Sequence, residues 1–138
     1  MRQTFDQDNC FFSMTEILLS CAVFNFLLAV FHMFLWKLFK WKSDLQSISV
    51  ANRAIIQIFN VLGIYLFIVA GLAFVLFHPA LMDSAGGRFF VVTAAVFWAI
   101  RLVLQFVFFD HKYGVIQFLS FIFLLGTILH ILPLLLSS

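Results

Sequence analysis

Arg53, Gln57 and Asn60 stand at i, i+4 and i+7 just inside an apolar run, and Arg101 and Gln105 stand at i and i+4 inside another. Helical spacing puts each set on one face. Guanidinium and carboxamide groups so placed donate to phosphate, carboxylate or polarised carbonyl oxygens. Ala94, Trp98 and Phe108 extend the Arg101 face. In the first run His32 shares a stripe with Cys21, Asn25 and Leu28, and in the last Gln117 shares one with Tyr113, Ser120, Leu124 and Thr127.

These groups lie at similar depth. Gln57 and Asn60 fall roughly 6 and 10 Å beyond Arg53. Arg101 and Gln105 fall about 12 and 6 Å from the end of their run at Phe109. His32 is about 7 Å inside Lys37, and Gln117 about 6 Å inside its own run. The expectation is a polar belt whose faces turn toward one another, because polar groups are costly in hydrocarbon.

Other chemistry is thinly represented. No serine, cysteine or carboxylate nucleophile has an evident base beside it. Within the belt His32 is the group that titrates near neutrality. Haem is not expected, since axial ligands need facing helices at matched depth. His78 and His111 sit at helix ends, and His130 is read as lying off the polar stripe of the fourth helix. Zinc lacks any close-spaced donor set. Cys10 and Cys21 fit no metal motif and no bridge. Glu16, at the entry of the first span, reads as a solvated end residue, and Asp6, Asp8 and Glu16 against Arg2 give the wrong charge for a cleavable signal.

Four elements must position the belt. The chain has 138 residues, 64% hydrophobic and only 10% charged, with mean hydropathy +1.13. A soluble domain is nearer a quarter charged, so the solvent must be lipid. The apolar runs are 17–36, 54–77, 89–109 and 113–136. Each spans roughly 30–36 Å as helix, enough to cross the hydrocarbon core. Backbone groups must be satisfied inside lipid, and the runs do not alternate as barrel strands do. The fold class is therefore all-α: a four-helix antiparallel transmembrane bundle, one domain over residues 1–138. Its helices lie near 15–39, 50–78, 87–109 and 113–136. Pro79 is expected to stop the second helix near Phe77 or His78, and Gly86 and Gly87 to supply unusual backbone angles.

Lysines and arginines set the orientation. Lys37, Lys40, Lys42, Arg53 and Lys112 lie on one side, and Arg2 and Arg88 on the other. The first side should be cytoplasmic, with both termini outside. Trp36 and Trp41 read as interface anchors. Trp41, Leu45 and Ile48 recur at i, i+4 and i+7, which predicts a short interfacial helix between the first two spans. Ser47, Ser49 or Asn52 would cap the helix that follows. The net charge of +2 is too small and local for nucleic acid.

Arg101 is the most informative residue. Its helix is expected to run inward, and helical side chains lean toward their own N-terminus, here away from the nearer, cytoplasmic surface. Glu16, Asp6, Asp8 and Asp83 lie on the outer side, and Asp110 is on the opposite face. Either Asp44, helix carbonyls or Asn25 satisfy Arg101, or its counter-charge belongs to a ligand. For Arg53, which leans toward water, a positive-inside anchor is the simpler role.

The spacing of Arg53, Ala54 and Asn60 resembles one motif of the MAPEG family, membrane-associated proteins in eicosanoid and glutathione metabolism. The motif covers about a tenth of the chain, and Arg101 with Gln105 echoes a polar pair in that family's third helix. The family's acidic residue three positions after the asparagine is Gly63 here. The resemblance implies a small four-helix bundle, a homo-oligomer, and glutathione as the thiol cofactor.

Three functions remain open. In the first, the belt binds a membrane lipid or lipophilic small molecule: an anionic or carbonyl-bearing amphiphile such as a lipid, quinone or fatty acid. In the second, the chain is a MAPEG-like glutathione-dependent enzyme. In the third, it is an accessory membrane subunit whose belt is internal glue.

Overall fold

A computed structural model describes residues 2–110 and 112–137, with side-chain environments from residue 14 onward except at 79. His111, and the side chains of Arg2, Asp6, Asp8 and Cys10, lie outside the described residues. The chain is helical throughout: α1 (Arg2–Leu38), α2 (Trp41–Asp44), a 3-10 turn (Leu45–Ser47), α3 (Val50–Leu81), α4 (Ala85–Phe108) and α5 (Gly114–Leu136). Among the described residues, four stretches are long and apolar enough to cross a membrane: Met14–Leu38, Val50–His78, Ala85–Phe108 and Gly114–Leu136. This is a multi-pass membrane protein, and large apolar side chains such as Phe59, Leu76 and Phe118 stand exposed on its outside, where lipid is the solvent.

Two boundaries depart from the sequence reading. Helix α1 begins at Arg2, not near residue 15, because residues 2–16 hold neither proline nor glycine. The apolar boundary near Met14 is not where the helix begins. Helix α3 runs through Pro79 to Leu81 instead of stopping at His78. A proline lacks the N–H that would bond the carbonyl four residues back, here Val75. The His78 side chain takes that place, its Nδ1 bonding the Val75 carbonyl at 2.9 Å.

The chain forms two compact units, Met1–Cys21 with Phe74–Ser138, and Ala22–Ala73. In the larger, α4 packs along α5. Later residues of α4 meet earlier residues of α5: Trp98 lies against His130, and Arg101 against Phe123. The buried stripe of α4 is Val91, Ala95, Trp98 and Gln105. That of α5 is Ser120, Phe123, Gly126, Thr127, His130 and Pro133. Both follow helical spacing.

The turn from α3 to α4 is tight. Ser84 caps α4, its hydroxyl accepting the Gly87 N–H at 3.0 Å, and Arg88 Nε donates to the Met82 carbonyl at 2.7 Å. Gly86 and Gly87 lie inside the first turn of α4, and no described glycine has positive φ, so they supply no unusual angles. Gly87 is needed for proximity instead: a Cβ there would sit 2.4 Å from the Leu81 carbonyl oxygen.

In the smaller unit, the expected interfacial helix is a single four-residue turn continued by the 3-10 turn, with Leu45 buried beneath it. Ser49 caps α3 by accepting the Asn52 N–H at 3.3 Å. Lys40 links α1 to α2 with φ 47° and ψ 37°. This is a left-handed conformation that costs a side-chain-bearing residue roughly 1–2 kcal/mol.

Candidate functional site

Arg101 and Gln105 are brought together. One helical turn separates them, and Gln105 leans back along α4, so that Arg101 Nη1 donates to its Oε1 at 3.0 Å. The guanidinium carbon lies 4.0 Å above the centre of the Phe123 ring, a cation–π contact that contributes about 0.5–2 kcal/mol. Phe123 stacks in turn on Trp98, with ring centres 6.2 Å apart and planes at 22°. Trp98 is 1% exposed and backs the Phe123 ring.

Gln105 is 0% exposed, and its Nε2 is a buried side-chain atom without a hydrogen-bond partner among the described residues. Flipping the amide would set an N–H against the Arg101 N–H, so the carbonyl must face the guanidinium. The amide donor is thus left over. The ion pair among the described residues is Asp110 with Lys112, 3.5 Å apart and exposed in the α4–α5 connection. Arg101 is half-buried and its charge meets an amide oxygen and an aromatic face, not a carboxylate. Asp44 is exposed and accepts from the Ser43 hydroxyl. Among the described residues, the site offers N–H donors and has no acceptor of matching charge.

His32 and Asn60 are also brought together, in the smaller unit. Asn60 Nδ2 donates to the His32 backbone carbonyl at 3.2 Å. That fixes Asn60 Oδ1 as the acceptor for His32 Nδ1, 3.1 Å away, and places the imidazole proton on Nδ1. The ring lies edge-on to Phe67 and over Gly63, where an added Cβ would stand 3.5 Å from Nδ1. This reciprocal pair ties α1 to α3. Arg53 serves the interfacial turn, with Nε donating to the Leu45 carbonyl at 2.8 Å and Nη2 to that of Gln46 at 3.4 Å. Gln57 is half-buried, one turn further along α3.

The α1 stripe is buried as expected at Cys21, Asn25 and Leu28. The α5 stripe is not the expected one. Gln117, Tyr113 and Leu124 are exposed, and only Ser120 and Thr127 of that set turn inward. Phe108, expected on the Arg101 face, is exposed as well. His130, read as off the stripe, is 0% exposed. Packing selects the face that holds Phe123 and Gly126, one position round from the polar one. His130 lies against Trp98 and Phe74, and its Nδ1 bonds the Gly126 carbonyl at 2.8 Å.

Sequence reasoning passed over one part-buried polar contact. Pro133 lacks the N–H owed to the Leu129 carbonyl, and the Cys21 thiol donates to that carbonyl at 3.4 Å. The pairing of an in-helix proline with a buried thiol was visible as two residue types, but their proximity was not. Among the described residues no group of three metal-binding side chains occurs.

Comparison with family models, curated proteins and solved structures gives no match. The site's chemistry therefore carries the functional argument.

Proposed function

We infer that this protein binds an anionic or carbonyl-bearing amphiphile at Arg101 and Gln105. The observation that carries the reading is the donor surplus: a guanidinium bound to one amide oxygen, beside a fully buried amide N–H group without an acceptor. An unmade hydrogen bond of this kind costs about 1–3 kcal/mol, and a phosphate, carboxylate or quinone-type carbonyl oxygen would relieve it. Trp98 and Phe123 hold the guanidinium from beneath, on its apolar side. His32, Asn60 and Arg53 are engaged with protein groups, so the reading rests on α4.

The reading includes an antiparallel bundle with both termini outside, which places Arg101 and Gln105 in the half facing the cytoplasm. Accessibility labelling of a cysteine placed at Ser138 tests this, and protection by an outside-only blocking reagent is the expected result.

The main experiment is thermal melting of wild type and Arg101→Leu in detergent, before and after exhaustive delipidation, with native mass spectrometry of what is released. Wild type should lose stability on delipidation and the variant should not. If the variant melts lower and wild type ignores delipidation, Arg101 is structural glue and the chain belongs with accessory subunits. Stabilisation by millimolar glutathione would instead favour the MAPEG-like transferase.

A further inference from the structure

The connection from α1 to α3 carries a feature that neither packing nor capping explains. Lys37, Lys40 and Lys42 fall within six consecutive positions, and all three side chains are exposed. No carboxylate pairs with them among the described residues, since Asp44 is turned to Ser43. Lys40 holds the left-handed conformation, which favours glycine or asparagine after a helix. Its backbone is firmly held: the carbonyl accepts from Ser43 N at 2.9 Å, Asp44 N at 3.2 Å and the Ser43 hydroxyl at 2.8 Å. Trp36 and Trp41 close the turn from either side, with ring centres 5.7 Å apart. The lysine, where glycine would cost the backbone less, sets a charge at the tip of the turn.

We propose that the Trp36–Lys42 turn is a docking surface for anionic phospholipid headgroups. The tryptophans seat the turn at the level where indole rings favour the interface. The rigid backbone holds three unneutralised ammonium groups toward the headgroup layer, and each lysine near such a surface strengthens association about fivefold. Charge complementarity selects the occupant: a phosphodiester carries the negative charge that this turn lacks. The surface is independent of the Arg101 reading, and each can fail without the other.

The test uses the full-length protein in vesicles, with tryptophan fluorescence quenched by brominated-tail phosphatidylglycerol or phosphatidylcholine. Trp36 and Trp41 report on the turn, while buried Trp98 gives a constant background. Wild type should prefer phosphatidylglycerol, and raised salt should erase the preference. Lys40→Gly should lose about fivefold of it yet melt no lower in pure phosphatidylcholine, because glycine suits the backbone. Lys112→Gln, in the α4–α5 connection, should keep the preference. The proposal is overturned if Lys40→Gly keeps the preference within twofold, or if Lys112→Gln loses as much. It is overturned equally if Lys40→Gly melts lower, since the lysine would then serve the fold.

Discussion

Replacing Gln105 by glutamate supplies, inside the protein, the acceptor that the proposed ligand would bring. The two side chains are nearly the same shape, so the carboxylate falls where the amide is, with one oxygen 3.0 Å from Arg101 Nη1. At that distance and an effective dielectric of about 20, the attraction is about 5.5 kcal/mol. Burying the new carboxylate costs several kcal/mol, taking back most of that gain. The unpartnered amide N–H group gives way to a second carboxylate oxygen in the same buried place, so no gain is counted there. Arg101 is only half-buried, so solvent screening trims the attraction further. The net expectation is a stabilisation of about 1–2 kcal/mol in the lipid-stripped protein. The assay is detergent melting of wild type and Gln105→Glu, stripped and after lipid is added back. The stripped variant should melt several degrees above stripped wild type, and added lipid should raise wild type but not the variant. A stripped variant that melts below wild type would show that the site is not short of an acceptor, and the argument from donor surplus would fail.

Three further outcomes follow from other contacts. Asn60→Leu removes both halves of the reciprocal bond to His32 and should lower stability by about 1–3 kcal/mol while leaving the lipid response of wild type intact; loss of that response would put Asn60 in the ligand site. Gly87→Ala sets a methyl 2.4 Å from the Leu81 carbonyl oxygen, against backbone. It should cost more than about 2 kcal/mol in melting, and a neutral result would show the α3–α4 turn to be looser than described. Cys21→Val strands the Leu129 carbonyl at a cost of about 1 kcal/mol in the native background. In Pro133→Ala, where the backbone N–H returns, the same change should cost less. Additive losses in that double-mutant cycle would refute the link between thiol and proline.

Sequence alone determined the solvent, the number of spans and most of their limits. That information is local: a run long enough to cross hydrocarbon must be helix wherever it ends up, because its backbone has no other partner there. The Arg101–Gln105 and Arg53–Asn60 faces were legible for the same reason, since spacing along one helix decides what shares a side. Tertiary structure decided what each polar group meets. The expected belt gathered His32, Asn60, Arg53, Arg101 and Gln105 at one depth, with Arg101 singled out, yet what each would bond to was not legible: the fold joins His32 to Asn60 and turns Arg53 to loop carbonyls, leaving the surplus donors on α4. It also turned α5 by about one residue, burying His130 and exposing Gln117, because in lipid the inward face is chosen by close packing as much as by polarity. The rescue of Val75 by His78, three residues on in one helix, is local, but that of Leu129 by Cys21 follows the same division. A proline announces in sequence that a carbonyl will be orphaned, but which side chain reaches that carbonyl depends on where the folded helices place their neighbours.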